Sequence, residues 1–215
     1  MSLTFYCGSG SPYAWRVWLG LEHKGLVYTL RMMSFSDGDL KAPEFAVINP
    51  RRKVPAIVDD GFALYESAAI LEYLDEQYPA SGARLFPGDI RERAIVRRMV
   101  QEADQYFATA MERIVDQVLF TPQEKWNLGR IAKARAVLAG ESANWETMIG
   151  GDYLAGASVS AADFTLYPLI ALTQRMQRRK PDLDVDGMLG PRVRAWMQRM
   201  EALPYLHKTW PPHWK

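Results

Sequence analysis

The hydrophobic pattern of this chain changes period once, between residues 80 and 89, and that change limits the folds open to it. Up to residue 80 the apolar residues fall in short runs with alternating strand-like and helix-like spacing. From about residue 89 the strand-like runs stop and only helical spacing remains. A chain of 215 residues can bury a real core as one domain or two small ones. The switch of period favours two: an α/β domain over 1–80, a linker over 81–88, and an all-helical domain over 89–215.

In the first part, "LTFYC" puts Leu3, Phe5 and Cys7 on one face of a strand. A helix follows over 11–24, with Ser11 suited to the N-cap, Pro12 to the first turn and Gly25 to the position past the end. Trp15, Trp18 and Leu19 keep helical spacing and are expected in its core. "LVYTLRMM" (26–33) reads as a second strand, and a short helix is expected around 40–47. "KVPAIVDDGFALYES" reads as a strand, an Asp-Asp-Gly turn and a strand. Residues 67–78 form an amphipathic helix stopped by Pro79. The order β-α-β-α-β-β-α predicts a small mixed sheet with helices against it.

In the second part, 91–118 reads as one long helix. "TPQE" (121–124) has the form of a capping box opening another. "VSAADF" (159–164) is the strongest start signal, with Ser160 at the N-cap and Asp163 three residues on. A further helix is expected over 191–202, and the tail "TWPPHWK" reads as irregular. "YPASGARLFPG" (78–88), rich in small residues and prolines, reads as the connection.

Composition narrows the function. A formal net charge of +1 lacks the basic excess of a nucleic-acid protein. One cysteine leaves no internal disulfide framework and no multi-cysteine metal site. Three histidines, His23, His207 and His213, do not have metal-ligand spacing, so no metal is expected. The N-terminal residues do not read as a signal peptide, and no apolar run approaches the ~20 residues of a membrane span. The expected setting is a reduced cytoplasm, without nucleic-acid or membrane partners.

Four stretches in order, "SPYAWRV" (11–17), "NPRRKVPAIVD" (49–59), "LYESAAILEYL" (64–74) and "YLAGASVSAADF" (153–164), resemble the cytosolic glutathione S-transferases. The resemblance covers nearly the whole chain. It implies a thioredoxin-like first domain, with a four-stranded mixed sheet, that binds glutathione as co-substrate. It also implies a helical second domain contributing the pocket for a small hydrophobic electrophile, a cis Val54–Pro55 peptide and a homodimer. The activity implied is a detoxifying glutathione transfer.

Where redox proteins of the thioredoxin fold carry Cys-x-x-Cys, this chain has Ser11-Pro12-Tyr13-Ala14, so dithiol chemistry is absent there. Ser11 has no Gly-x-Ser-x-Gly elbow and no histidine near it in sequence, which argues against a serine nucleophile. It is the expected hydroxyl donor to the glutathione thiol, held as thiolate at a helix N-terminus. Ser9 is the rival donor, and Cys7 is a weaker candidate as a former of a mixed disulfide, since it lies in phase with the strand's inner face. By matched position Glu66 and Ser67 take the γ-glutamyl end, Val54 before Pro55 takes the cysteinyl part, and Lys53 or Lys41 takes the glycyl carboxylate. Tyr13, Tyr106, Phe107, Met111 and Arg113 are candidates for the electrophile pocket. A glutathione-dependent isomerase of the maleylacetoacetate type is an alternative, although Gly10-Ser11-Pro12 departs from that branch's Ser-Ser-Cys start. A module that kept the fold without turnover is another.

Overall fold

The computed structural model describes residues 2–214. They form two compact units, one made of residues 2–88 together with 203–214, the other of residues 89–202.

The first unit is built on a four-stranded sheet in the order β2-β1-β3-β4. Strand β1 (Leu3–Gly8) runs parallel to β2 (Thr29–Met33) and antiparallel to β3 (Ala56–Asp59), which pairs antiparallel with β4 (Phe62–Tyr65). Register sets Phe5 against Leu30 on one side and Ile57 on the other. The alternation read from "LTFYC" holds: Leu3, Phe5 and Cys7 are buried and the residues between them are half-buried. Strand β2 starts later than its apolar run suggests. As an edge strand it is mostly exposed, so side-chain burial does not mark its ends.

Helix α1 (Pro12–His23), the short α2 (Pro43–Ile48) and α3 (Ser67–Gln77) complete the β-α-β-α-β-β-α order. A 3₁₀ turn, Asp39–Lys41, takes the first part of the helix expected around 40–47. α1 packs on α3, and Leu19, Leu21, Ile70, Leu71 and Leu74 on these helices are all fully buried. Burying one such side chain contributes about 1.5–3 kcal/mol. The helices touch at Gly20, where a Cβ would lie 2.6 Å from Leu71 Cδ2, so the helix-weakening glycine is required by the approach.

Two expectations about domain limits are corrected. Residues 81–88, read as a linker, belong to the first unit: Asp75 on α3 accepts the Leu85 and Phe86 N–H groups at 2.7 and 3.3 Å and pairs with Arg84 and the buried Lys24. The tail does not belong to the helical domain. Residues 203–214, with the short helix α10 (Leu206–Thr209), pack on α1, where Trp15 donates to Thr209 Oγ1 at 2.9 Å. The Trp15 ring meets Trp210 and Trp214 edge-on, each at 5.4 Å.

The second unit is all helical: α4 (Ile90–Glu102), α5 (Ala108–Val118), α6 (Leu128–Met148), α7 (Ala161–Gln177), α8 (Val185–Met188) and α9 (Pro191–Glu201). The long helix expected over 91–118 is interrupted by a π turn at Ala103–Phe107. Thr121 does not open a helix; its hydroxyl donates to Asp116 O, and Asn127 caps α6 instead. Asp163 does close the start of α7 as read. It accepts the N–H and O–H of Ser160, the N–H of Leu154 and the indole N–H of Trp196, all at 2.8–2.9 Å. α7 is buried along most of its length and forms the centre of this unit.

Among the described residues no helix is long and apolar enough to cross a membrane, and no cluster of three or more His, Cys, Asp or Glu could hold a metal.

Candidate active site

The site candidates of the first unit gather where β1 ends and α1 and α3 begin. Ser11 is the N-cap of α1, with extended backbone (φ −72°, ψ 120°) and its N–H donated to Gly8 O at 3.1 Å. Its Oγ accepts the Ala14 N–H at 3.2 Å, which leaves the hydroxyl proton available to donate. Pro12 occupies the first turn and no acidic side chain stands there, so the positive end of the helix is not neutralised locally. An anion placed against Ser11 therefore meets a hydroxyl and a bare helix end together.

The loop before it depends on close contact. A Cβ on Gly8 would lie 2.6 Å from Phe35 Cζ and 2.7 Å from Val54 Cγ2. The residue before the turn must be glycine for the Val54 segment to reach β1. Val54–Pro55 is cis, as the resemblance implied. The segment before it is held by Asn49, whose amide donates to Lys53 O at 2.7 Å and whose own oxygen accepts the Arg51 N–H. Lys53 and Lys41 are exposed, and Arg52 donates to the Lys41 carbonyl at 3.0 Å.

Glu66 precedes α3 with φ +72°, a left-handed backbone that a non-glycine residue adopts at a cost of about 1–3 kcal/mol. Its side chain is exposed, while Ser67, the first helical residue, is 5% exposed. Ser67 Oγ accepts a hydrogen bond from the Arg16 guanidinium on α1. Arg16 is itself 4% exposed and lies 5.4 Å from the centroid of the Tyr13 ring. This contact ties the start of α3 to α1 and sets a positive charge beside the helix N-terminus, where a carboxylate is favoured. Arg16 was not read as a site residue. The signal was present: it is the only charged residue in the run Ala14–Leu21, all of which is buried.

One candidate for the thiol loses ground. Cys7 is 2% exposed, and burial pushes its thiol up to about 12, so it stays protonated and inert at neutral pH. Ser9 Oγ is engaged with His213 Nδ1 at 2.7 Å. Of the electrophile candidates, Tyr13 is half-buried beside Arg16, and Tyr106 and Arg113 are exposed on the helical unit. Phe107 and Met111 are each 1% exposed.

The sequence profile described as "Glutathione S-transferase, N-terminal domain" matches residues 10–77, and that described as "Glutathione S-transferase, C-terminal domain" matches residues 68–199. Glutathione S-transferase A of Pleuronectes platessa is 27% identical over 99% of this chain and 92% of its own. Maleylacetoacetate isomerase of Rattus norvegicus is 32% identical over 78% of this chain and 76% of its own. A theta-class glutathione S-transferase from Xanthomonas axonopodis pv. citri, solved with glutathione bound, superposes with a TM-score of 0.82 at 25% identity, over 97% of this chain and 96% of its own. With the C-terminal profile matching more than half of the chain and the N-terminal profile matching residues 10–77, the chain belongs to the glutathione S-transferase family of enzymes.

Proposed function

We propose that this enzyme binds glutathione on its first unit, holds the thiol as thiolate at Ser11, and directs it onto a small hydrophobic electrophile. The observation that carries the reading is the Ser11 hydroxyl at the start of α1, whose oxygen accepts the Ala14 N–H and whose proton is left available to donate.

The energetics suffice. A free cysteine thiol titrates near about 8.5. Lowering that by two units takes about 2.7 kcal/mol. A hydrogen bond to a charged acceptor contributes about 1.5–3 kcal/mol, and a helix N-terminus about 0.3–2 kcal/mol. Ser11 donates without ionising. The thiol's proton leaves for solvent, and sulfur then attacks the electrophilic carbon.

Around the sulfur, Val54 offers its backbone to the cysteinyl part of glutathione. Glu66 pairs with the γ-glutamyl amine. Ser67, oriented by Arg16, and the N–H groups opening α3 take the γ-glutamyl carboxylate. Lys53 or Lys41 meets the glycyl carboxylate. Tyr13, Tyr106 and Arg113 remain pocket candidates for the electrophile, and the working form is a homodimer. An isomerase that adds and then expels glutathione is the second reading. It draws on the 32% identity to the rat isomerase and shares the same thiolate step.

The test is Ser11→Ala. Expected are loss of the ultraviolet thiolate absorbance of bound glutathione, a fall of about 10- to 100-fold in kcat/KM at neutral pH, and nearly unchanged retention on immobilised glutathione. Full activity in Ser11→Ala, with loss in Ser9→Ala, overturns the assignment. A panel spanning conjugation, substitution and isomerisation substrates separates transferase from isomerase.

A further inference from the structure

The tail that returns to the first unit lands on the loop carrying both serines. His213 Nδ1 bonds Ser9 Oγ at 2.7 Å. Gly10, at φ +83°, is overlain by the same ring and by its neighbour: a Cβ there would lie 2.7 Å from His213 Cε1 and 3.2 Å from Trp214 Nε1. Trp214 and Trp210 close on Trp15 of α1, and the indole of Trp15 donates to Thr209 Oγ1. Between loop, helix and tail only a cavity of about 10 Å³ remains, lined among others by Cys7, Ser9, Ser11, Trp15, Thr209 and Pro211. That is room for about one water. The loop Ser9-Gly10-Ser11 is thus clamped from the tail side, with Gly10 in a conformation that glycine adopts freely. Without the clamp, two serines and a glycine could sample several backbone states, and the Ser11 hydroxyl would be correctly placed in only a fraction of them.

We propose that His213 is a positioning residue of the thiol site: by gripping Ser9 and covering Gly10 it fixes the loop so that Ser11 alone presents its hydroxyl to the sulfur. This rests on the Ser11 reading above. His213 itself does not touch the thiol. It holds one of the two serines out of the reaction and fixes the other in place.

The experiment is a double-mutant cycle in the full-length protein with Ser9→Ala, His213→Ala and both together, with His213→Asn as the conservative variant. The Asn amide can reproduce the bond made by Nδ1. The readouts are the thiol's pKa in the glutathione complex, from thiolate absorbance against pH, and kcat and KM for glutathione. Expected for His213→Ala is a thiolate population about 3- to 10-fold lower below that pKa, the size of one lost hydrogen bond, with KM within about twofold of the parent. Ser9→Ala should shift the pKa by the same amount, the double variant should be no worse than either single, and His213→Asn should recover most of the loss. If His213→Ala does not fold, Ser9→Ala and His213→Asn decide the matter. An unmoved pKa in His213→Ala and Ser9→Ala, or fully additive effects, overturns the proposal. So does loss of all thiolate signal in Ser9→Ala, which would make Ser9 the donor. If the parent enzyme itself shows no thiolate, the Ser11 reading falls as well; if Ser11→Ala abolishes the signal and His213→Ala leaves it, only the positioning role falls.

Discussion

Arg16 and Ser67 illustrate how much of this site is held by contacts between side chains distant in sequence. Arg16 is nearly sealed from solvent, and its guanidinium donates to the hydroxyl that opens α3. Replacing it by methionine keeps the stem and removes the charge. The γ-glutamyl subsite then loses a charge-assisted donor, and KM for glutathione is expected to rise about tenfold, with kcat changed less, in steady-state assays. A comparable loss in kcat with KM unchanged would place Arg16 with the thiol instead. Ser11 and the Glu66-Ser67 pair are candidates from motif and matched position, and cis-Pro55 follows only from the family resemblance. Arg16 and His213 could not be read this way, because what matters is which group each meets, and those partners lie 51 and 204 residues away. Phe107 and Met111 show the converse: helical spacing marks an aromatic or a methionine as facing something, but not whether that is a pocket or a core.

At the scale of elements, the starts of helices are where sequence and structure agree best, and where one capping pattern misleads. Asp163 works because all four groups around it are donors, and its complete burial raises the carboxyl pKa more than those donors lower it. Asp163→Ala would strand those donors in the interior. We expect a loss of about 3 kcal/mol or more in the stability of the helical unit, read from the denaturant midpoint, and a smaller loss for Asp163→Asn. Thr121-Pro122-Gln123-Glu124 has the letters of a similar box, yet Thr121 spends its hydroxyl on Asp116 O and the chain forms only a 3₁₀ turn at Gln123–Lys125 before Asn127 caps α6. A capping pattern names groups that can pair. Whether the following residues have an apolar face to bury decides if a helix uses it. The π turn at Ala103–Phe107 has no counterpart in the helical periodicity, since one extra residue per turn shifts the buried face without breaking the run of apolar positions.

For the molecule as a whole, the first unit is assembled from both ends of the described chain, and His23 is one of the joints. It sits at the end of α1, bonded through Nδ1 to Tyr205 Oη at 2.8 Å. Burial, with a smaller push from Lys24, lowers its pKa to about 4, against a partial counter-effect from Asp75. The unfolded chain binds this proton near pH 6.5 and the folded chain does not until about 4, so folding loses stability as pH falls through that window. Between pH 7.5 and 5 the expected loss is about 2 kcal/mol. Thermal or denaturant unfolding across this range should show it, and His23→Gln should flatten that slope. The two-unit organisation was legible from the change of period alone. The return of residues 203–214 was not, because "TWPPHW" has neither helical nor strand spacing, and its aromatics announce burial without saying against what.

That return has a consequence for how the protein is made. On the ribosome the sheet and α1–α3 emerge before the helical unit, but Trp15 on α1 does not meet its ring partners until Trp210 and Trp214 follow. For the whole time the helical unit is being synthesised, the nascent chain carries an open aromatic seam, and a helix translated before that unit is sealed only after it.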